Sequence, residues 1–242
     1  MSKANSYIIS LDFDGVLAQG FHLKVKYAKK WFGLDLEADQ TKEIGFNELV
    51  RKKGLNLNYD RDLTTKLNAE HILEFLIAPN LIETLTKMYG EGCRFVIVTS
   101  RSDRFLYAAK LFVENNFGGL IDYIHNTNRG SKNYLTTKLK ARLHIDDDLK
   151  KIIQLVDTPL DLFYFRQIEN KYQDIQSELK NRIYEFSDWR EFYRQWSFLK
   201  LVQQAIAKKY NLPNNMYHCY EILKIQHALN HKQRERLVEQ QL

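Results

Sequence analysis

Tyr7-Ile8-Ile9-Ser10-Leu11-Asp12-Phe13-Asp14-Gly15-Val16 is the stretch that decides the fold. Its first half is a short apolar, β-rich run that reads as a fully buried strand, and its second half reads as a turn. Gly15 suits that turn because glycine readily adopts backbone conformations that other residues resist. Asp12 and Asp14 leave the strand end two residues apart, so their carboxylates converge. Nearby like charges repel, and a pair of this kind calls for a bound cation or a shared proton.

Two further strand ends carry chemistry. Cys93-Arg94-Phe95-Val96-Ile97-Val98 is a second buried-strand run and ends in Thr99-Ser100-Arg101-Ser102. Arg142-Leu143-His144-Ile145 ends in Asp146-Asp147-Asp148, and Lys132 opens a helix-like segment over residues 132–141. Carboxylates, a hydroxyl and an ammonium therefore fall beyond the carboxyl ends of strands, where open α/β sheets gather their ligands. Residues 120–124 and 162–165 read as two more strands. Residues 80–90, 103–116 and 149–156 read as helices between them, with Ser102 or Asp103 as the N-cap of the second. Five strands with intervening helices predict a parallel sheet in a Rossmann-like α/β core.

In order and in separation, this set resembles the haloacid dehalogenase superfamily, specifically its phosphatase branch. Asp12-x-Asp14-Gly15 is similar to the first motif, Thr99 to the second, Lys132 to the third and the Asp146-Asp147 pair to the fourth. Lys138 and Lys140 compete for the third position, but a helix start lies nearer the strand ends than residues one or two turns along. The resemblance spans roughly residues 6–190. It implies Mg²⁺ dependence and phosphoryl transfer through an aspartyl-phosphate. Catalytic roles would fall to Asp12, Asp14, Thr99 and Lys132, and phosphate contacts to Gly15, Ser100 and Arg101. Metal ligation would fall to Asp12, the backbone carbonyl of Asp14, and Asp146 or Asp147. The motif wording is closest to 5′-nucleotidase-type members, which makes a nucleoside monophosphate the first substrate expected. A scaffold protein using its helical tail and a sugar phosphomutase are the competing readings.

Two neighbours of these residues are expected to be structural. Asp148 suits an N-cap for the following helix, and His144 suits a satisfied core histidine. His218-Cys219 has no partner motif and is read the same way.

Residues 18–78 interrupt the alternation with helix-like segments over 22–32, 43–53 and 63–76. The superfamily places a cap domain at this point, and a closing lid can expel water from a site. The expected division is a core of residues 1–17 and 79–190, a helical cap of 18–78, and a C-terminal helical extension of 191–242. All ten glycines precede Ser131, and the glycine-poor remainder reads as helical, with sheet signals mainly before Arg166. Trp189, Phe192, Tyr193 and Trp196 share one helical face, which points to core packing. A last helix is expected over 215–240, with Ile222, Ile225, Leu229 and Leu237 as a thin apolar seam. That seam would dock on its own core or form a homodimer.

The net charge is +6 over 242 residues. From Glu191 onward, eight Lys or Arg stand against four Glu, so +4 of it lies in the last segment. The charges are dispersed, which favours a solvated helix face over a nucleic-acid or lipid surface. Two distant cysteines exclude a disulfide framework and suit a reducing compartment. With no signal-like segment at residues 1–5 and no apolar span, the expectation is a soluble, cytoplasmic protein acting on a small phosphorylated metabolite.

Overall fold

The computed structural model describes residues 7–128, 130–212, 219–229 and 231–240. The strands are β1 (Tyr7–Leu11), β2 (Cys93–Thr99), β3 (Ile121–Asn126), β4 (Leu143–Asp146), β5 (Asp161–Phe165) and β6 (Ile183–Phe186). They form one six-stranded sheet in the order β3-β2-β1-β4-β5-β6, and every pairing is parallel. β1 lies between β2 and β4, so the chain switches direction across the sheet at the strand that Asp12 follows. Such a switch point opens a crevice beyond the strand ends.

The strands read as nearly continuous apolar runs because helices cover both faces. Phe163 and Phe165 join the cluster containing Trp189 and Phe192, whereas Leu162 and Tyr164 join Leu149 and Ile152. Successive β5 side chains thus point to opposite layers, as strand geometry requires. The connecting helices of the core are α4 (Leu81–Gly90), α5 (Leu106–Asn116), α6 (Asn133–Lys138) and α7 (Leu149–Ile153).

Three expectations about the core need correction. The sheet has six strands rather than five: residues 183–186 pair with β5, although the sheet signals end near Arg166. The reason is tertiary. A four-residue edge strand is too short to show a period, and it is held in place by β5 and by the Arg166 fork on Glu185, at 2.7 and 2.6 Å. The stretch between β5 and β6 is not helical either, apart from single turns at Ile168–Asn170 and Ser177–Leu179. Neither Ser102 nor Asp103 caps α5: a 3₁₀ turn, Asp103–Phe105, precedes it, and Asp103 accepts instead from Asn126 Nδ2 at 2.7 Å.

The insertion carries α1 (Phe21–Phe32), α2 (Glu43–Lys52) and α3 (Thr65–Glu70); a wider helical turn, Tyr59–Thr64, leads into α3. The two chain crossings lie side by side, because Gln19 and Leu76 exchange backbone hydrogen bonds of 2.8 and 3.1 Å. Leu23, Phe46, Leu63 and Leu67 bury into the same apolar cluster as the sheet.

After β6, Asp188 caps α8 (Trp189–Lys209) by accepting from the backbone of Arg190 and Glu191. Trp189, Phe192 and Trp196 are buried, so the aromatic stripe is core. Phe192 stands 4.9 Å from Phe163 and 5.3 Å from Trp189, ring to ring, nearly edge-on to both. Removal of so large a buried ring costs about 3–5 kcal/mol. Phe192→Ala is expected to lower the urea midpoint accordingly with an unchanged slope.

The last expected helix is two helices, α9 (Cys219–Ala228) and α10 (His231–Glu239), and the Arg234 side chain donates to the Gln226 carbonyl at 3.0 Å. Ile222 and Leu237 bury against Val202 and Ile206 of α8, so the seam packs on its own chain. Residues 215–218, and with them His218, lie outside the described residues. Among the described residues no helix is long and apolar enough to cross a membrane.

Candidate active site

Asp12 continues the β1 ladder by donating its N–H to the Ile145 carbonyl at 2.9 Å, which fixes it between β2 and β4. Gly15, with φ of +78°, then turns the chain back. That glycine is required twice, because a Cβ there would also come within 2.3 Å of Asp147 Oδ2. Left-handed backbone costs a non-glycine residue roughly 1–2 kcal/mol. Gly15→Ala is expected to destabilise the fold by at least that much and to weaken metal binding by displacing Asp147, both measurable by calorimetry.

Oxygens of Asp12, Asp146 and Asp147 lie within 4.8 Å of one another, and all three residues are buried. Three hard oxygen donors from three backbone positions make a set that suits Mg²⁺, which takes few protein carboxylates and keeps several waters. The Asp14 side chain is not in this group. It turns to Arg101, whose Nε and Nη2 donate to its two oxygens at 2.8 and 2.5 Å.

Lys132 stands at the entry to α6 and is 3% exposed. Its Nζ is 2.6 Å from both Asp12 Oδ1 and Asp146 Oδ2. Burial alone would lower this lysine's pKa, but the two carboxylates outweigh it and raise it. Asp12 is pushed up by burial, partly offset by Lys132. Asp146 is also penalised by burial, yet Lys132 and His144 hold it well below the usual carboxylate range. Asp146 Oδ1 further accepts from the Asp148 N–H at 2.9 Å. Asp14 is half-exposed to the cavity, and Arg101 outweighs its desolvation, so its carboxyl lies low.

Burial pushes Asp147 up to about 6 despite the opposing Lys42. Its proton is therefore bound below that pH and lost above it. A metal needs the ionised form. Affinity for a divalent metal offered to this cluster is expected to fall about tenfold per pH unit below that value, measurable as a difference between titrations at acidic and neutral pH.

Thr99 is buried at the end of β2, and its Oγ1 accepts from the Arg101 N–H at 3.3 Å. Ser100 lines the same cavity. Lys132, not Lys138 or Lys140, reaches the carboxylates. Asp148 caps α7, accepting from the Lys150 N–H at 3.0 Å. The His144 ring is enclosed between Ser10 Oγ at 2.8 Å and Asp146 Oδ2 at 3.4 Å, and burial lowers its pKa.

Several residues of the site have no signal in the sequence. Lys42, at the entry to α2 in the insertion, pairs with Asp147. Gln167 Nε2 donates to the same carboxylate at 2.9 Å, and Asn170 Nδ2 donates to the Asp147 carbonyl at 2.8 Å. Glu169 receives Lys24 Nζ and Thr41 Oγ1, each at 2.7 Å, and so ties the insertion to the loop after β5. Above these groups lies a cavity of about 1470 Å³ between insertion and sheet, walled also by Ile44, Tyr59 and Phe75.

No protein-family model and no curated protein sequence matches the chain. Solved structures do. A hydrolase of the haloacid dehalogenase-like family from Streptococcus pneumoniae aligns with a TM-score of 0.52 at 15% identity, over 79% of this chain and 98% of that one. A Haemophilus somnus protein described as a predicted phosphoglycolate phosphatase gives 0.55 at 14% identity, over 80% and 99%. An L-2-haloacid dehalogenase gives 0.56 at 12% identity, over 78% and 98%. The chain has the haloacid dehalogenase-like fold. The likeness shows that fold alone and does not carry the closer resemblance to 5′-nucleotidase-type members; the proteins that share it include some described as phosphatases and one dehalogenase. The reaction must be argued from the site.

Proposed function

We propose that this protein is a Mg²⁺-dependent phosphatase that hydrolyses a small phosphate monoester through a phosphoryl-Asp12 intermediate. The observation that carries the reading is the convergence of Asp12, Asp146 and Asp147 around Lys132, with a second carboxylate, Asp14, facing the cavity two residues on. When bound to Asp12, Asp146 and Asp147, the metal would neutralise charge between the nucleophile and the phosphoryl oxygens.

Asp12 attacks phosphorus through a carboxylate oxygen, and the ester P–O bond breaks. Asp14, released from Arg101 and protonated, gives its proton to the leaving alkoxide. Water then attacks phosphorus, Asp14 takes the water's proton, and the bond between Asp12 and phosphorus breaks to release phosphate. Such acid–base help is worth roughly 10²–10⁴-fold. Lys132 holds Asp12 in place and presents positive charge to the transferring group, to which the Thr99 hydroxyl can donate. The insertion acts as a cap: Thr41 and Lys42 bring it down onto Glu169 and Asp147, enclosing the reacting centre.

A second carboxylate placed for acid–base work favours phosphoryl transfer over halide displacement, in which the departing halide needs no proton. A phosphate-release screen over monoesters, nucleoside monophosphates included, with and without Mg²⁺ tests the proposal. Release that depends on Mg²⁺ and is lost with Asp12→Asn supports it. No release from any ester, with turnover of a haloacid, overturns it.

A further inference from the structure

Arg101 is 8% exposed, and its guanidinium is only partly used. Nε and Nη2 fork onto Asp14 at 2.8 and 2.5 Å, and the group lies over the Phe13 ring, 4.3 Å from its centroid. Nη1 is buried without a hydrogen-bond partner, and so is the neighbouring Ser102 hydroxyl. Both residues line the cavity. A buried cationic donor with nothing to donate to is costly to maintain, and the side chain that carries it belongs to the cavity wall.

The position says which part of the substrate it meets. Asp12, Thr99 and Lys132 stand on the phosphoryl side. Asp14 serves the leaving oxygen, and Arg101 is bonded to Asp14, so its guanidinium lies on the leaving-group side. Both Asp14 oxygens also accept from Arg101. A carboxyl that hands a proton to the leaving oxygen must free at least one of them. A planar oxyanion carried by the leaving group offers the guanidinium a replacement partner of matching geometry.

Resting on the phosphatase reading, we propose that Arg101 selects monoesters whose leaving group carries a second oxyanion, a carboxylate or a phosphate, close to the scissile ester. In the free protein Arg101 is held on Asp14; with such a substrate it moves to the second anion and releases Asp14 for proton transfer. A monoester without that anion leaves the arginine on the acid and turns over slowly.

The test compares carboxyethyl phosphate with propyl phosphate, which differ by one carboxylate. With Mg²⁺ the wild type is expected to prefer carboxyethyl phosphate by about tenfold or more in kcat/KM, the scale of one or two charged hydrogen bonds. Arg101→Gln should abolish the preference, raising KM for carboxyethyl phosphate far more than for propyl phosphate, and Arg101→Lys should restore part of it. Binding of both esters to Asp12→Asn, measured by calorimetry, reads the same preference without turnover. The inference is overturned by equal affinity of both esters for Asp12→Asn. It is overturned equally by parallel losses on both substrates in Arg101→Gln, which would place Arg101 on the phosphoryl group. Absence of turnover in the wild type, with a binding preference that vanishes in Asp12→Asn/Arg101→Gln, would sink the phosphatase reading and leave the anion site standing.

Discussion

Asp12→Asn is expected to lower turnover of any accepted monoester by roughly 10⁴-fold or more, the scale seen when a nucleophile is removed from a unit that works together. An amide cannot form the acyl-phosphate bond. The fold should persist, because Lys132 keeps Asp146 as a partner at 2.6 Å and the backbone bond from Asp12 to Ile145 does not involve the side chain. Steady-state rates on protein stripped with chelator and reloaded with Mg²⁺ provide the check. A rate near wild type would show that Asp12 does not attack phosphorus.

Lys132→Met has the opposite profile, with a large effect on stability as well as on rate. The substitution leaves Asp12 and Asp146 buried beside one another with their shared cation gone. Breaking a buried pair from one side typically costs about 3–5 kcal/mol. Urea unfolding of the metal-free protein should show that loss. Mg²⁺ should recover part of it, since a cation bound to the same carboxylates replaces the missing charge. An unchanged unfolding midpoint would mean that the carboxylates are not held ionised around Lys132.

The pieces of the site that were legible are those whose local sequence positions them. A strand that ends in Asp12, one that ends in Thr99 and one that ends in Asp146 each carry their own signal, and parallel pairing brings the three ends to one rim. Lys132 was legible because a helix start next to that rim is within reach of it. Lys42 was not. It contacts Asp147 across 105 residues of chain, and a lysine before a helix in an inserted segment looks like any solvated charge. Gln167, Glu169 and Asn170 are hidden for a related reason: they sit on a loop after β5 with no periodic pattern, Gln167 and Asn170 act on Asp147 from a separate strand end, and Glu169 finds its partners only in the folded insertion.

The same limit applies to the fold. Long apolar runs gave away β1, β2 and β5, whereas β6 is defined by its neighbour. The tail's sequence reads as one helix, whereas the structure has two that pack back on α8, an arrangement set by tertiary contacts rather than by local spacing. The aromatic face of α8 was legible as core because its helical spacing is local.

Attack by Asp12 followed by attack of water amounts to a double displacement at phosphorus, and the stereochemical course of the reaction reads it out. A phosphorothioate monoester carrying two oxygen isotopes at phosphorus, hydrolysed with Mg²⁺ in water of the third isotope, is predicted to give inorganic thiophosphate with retained configuration, since two in-line displacements cancel. Inverted thiophosphate would mean a single direct attack by water and would rule out attack by Asp12.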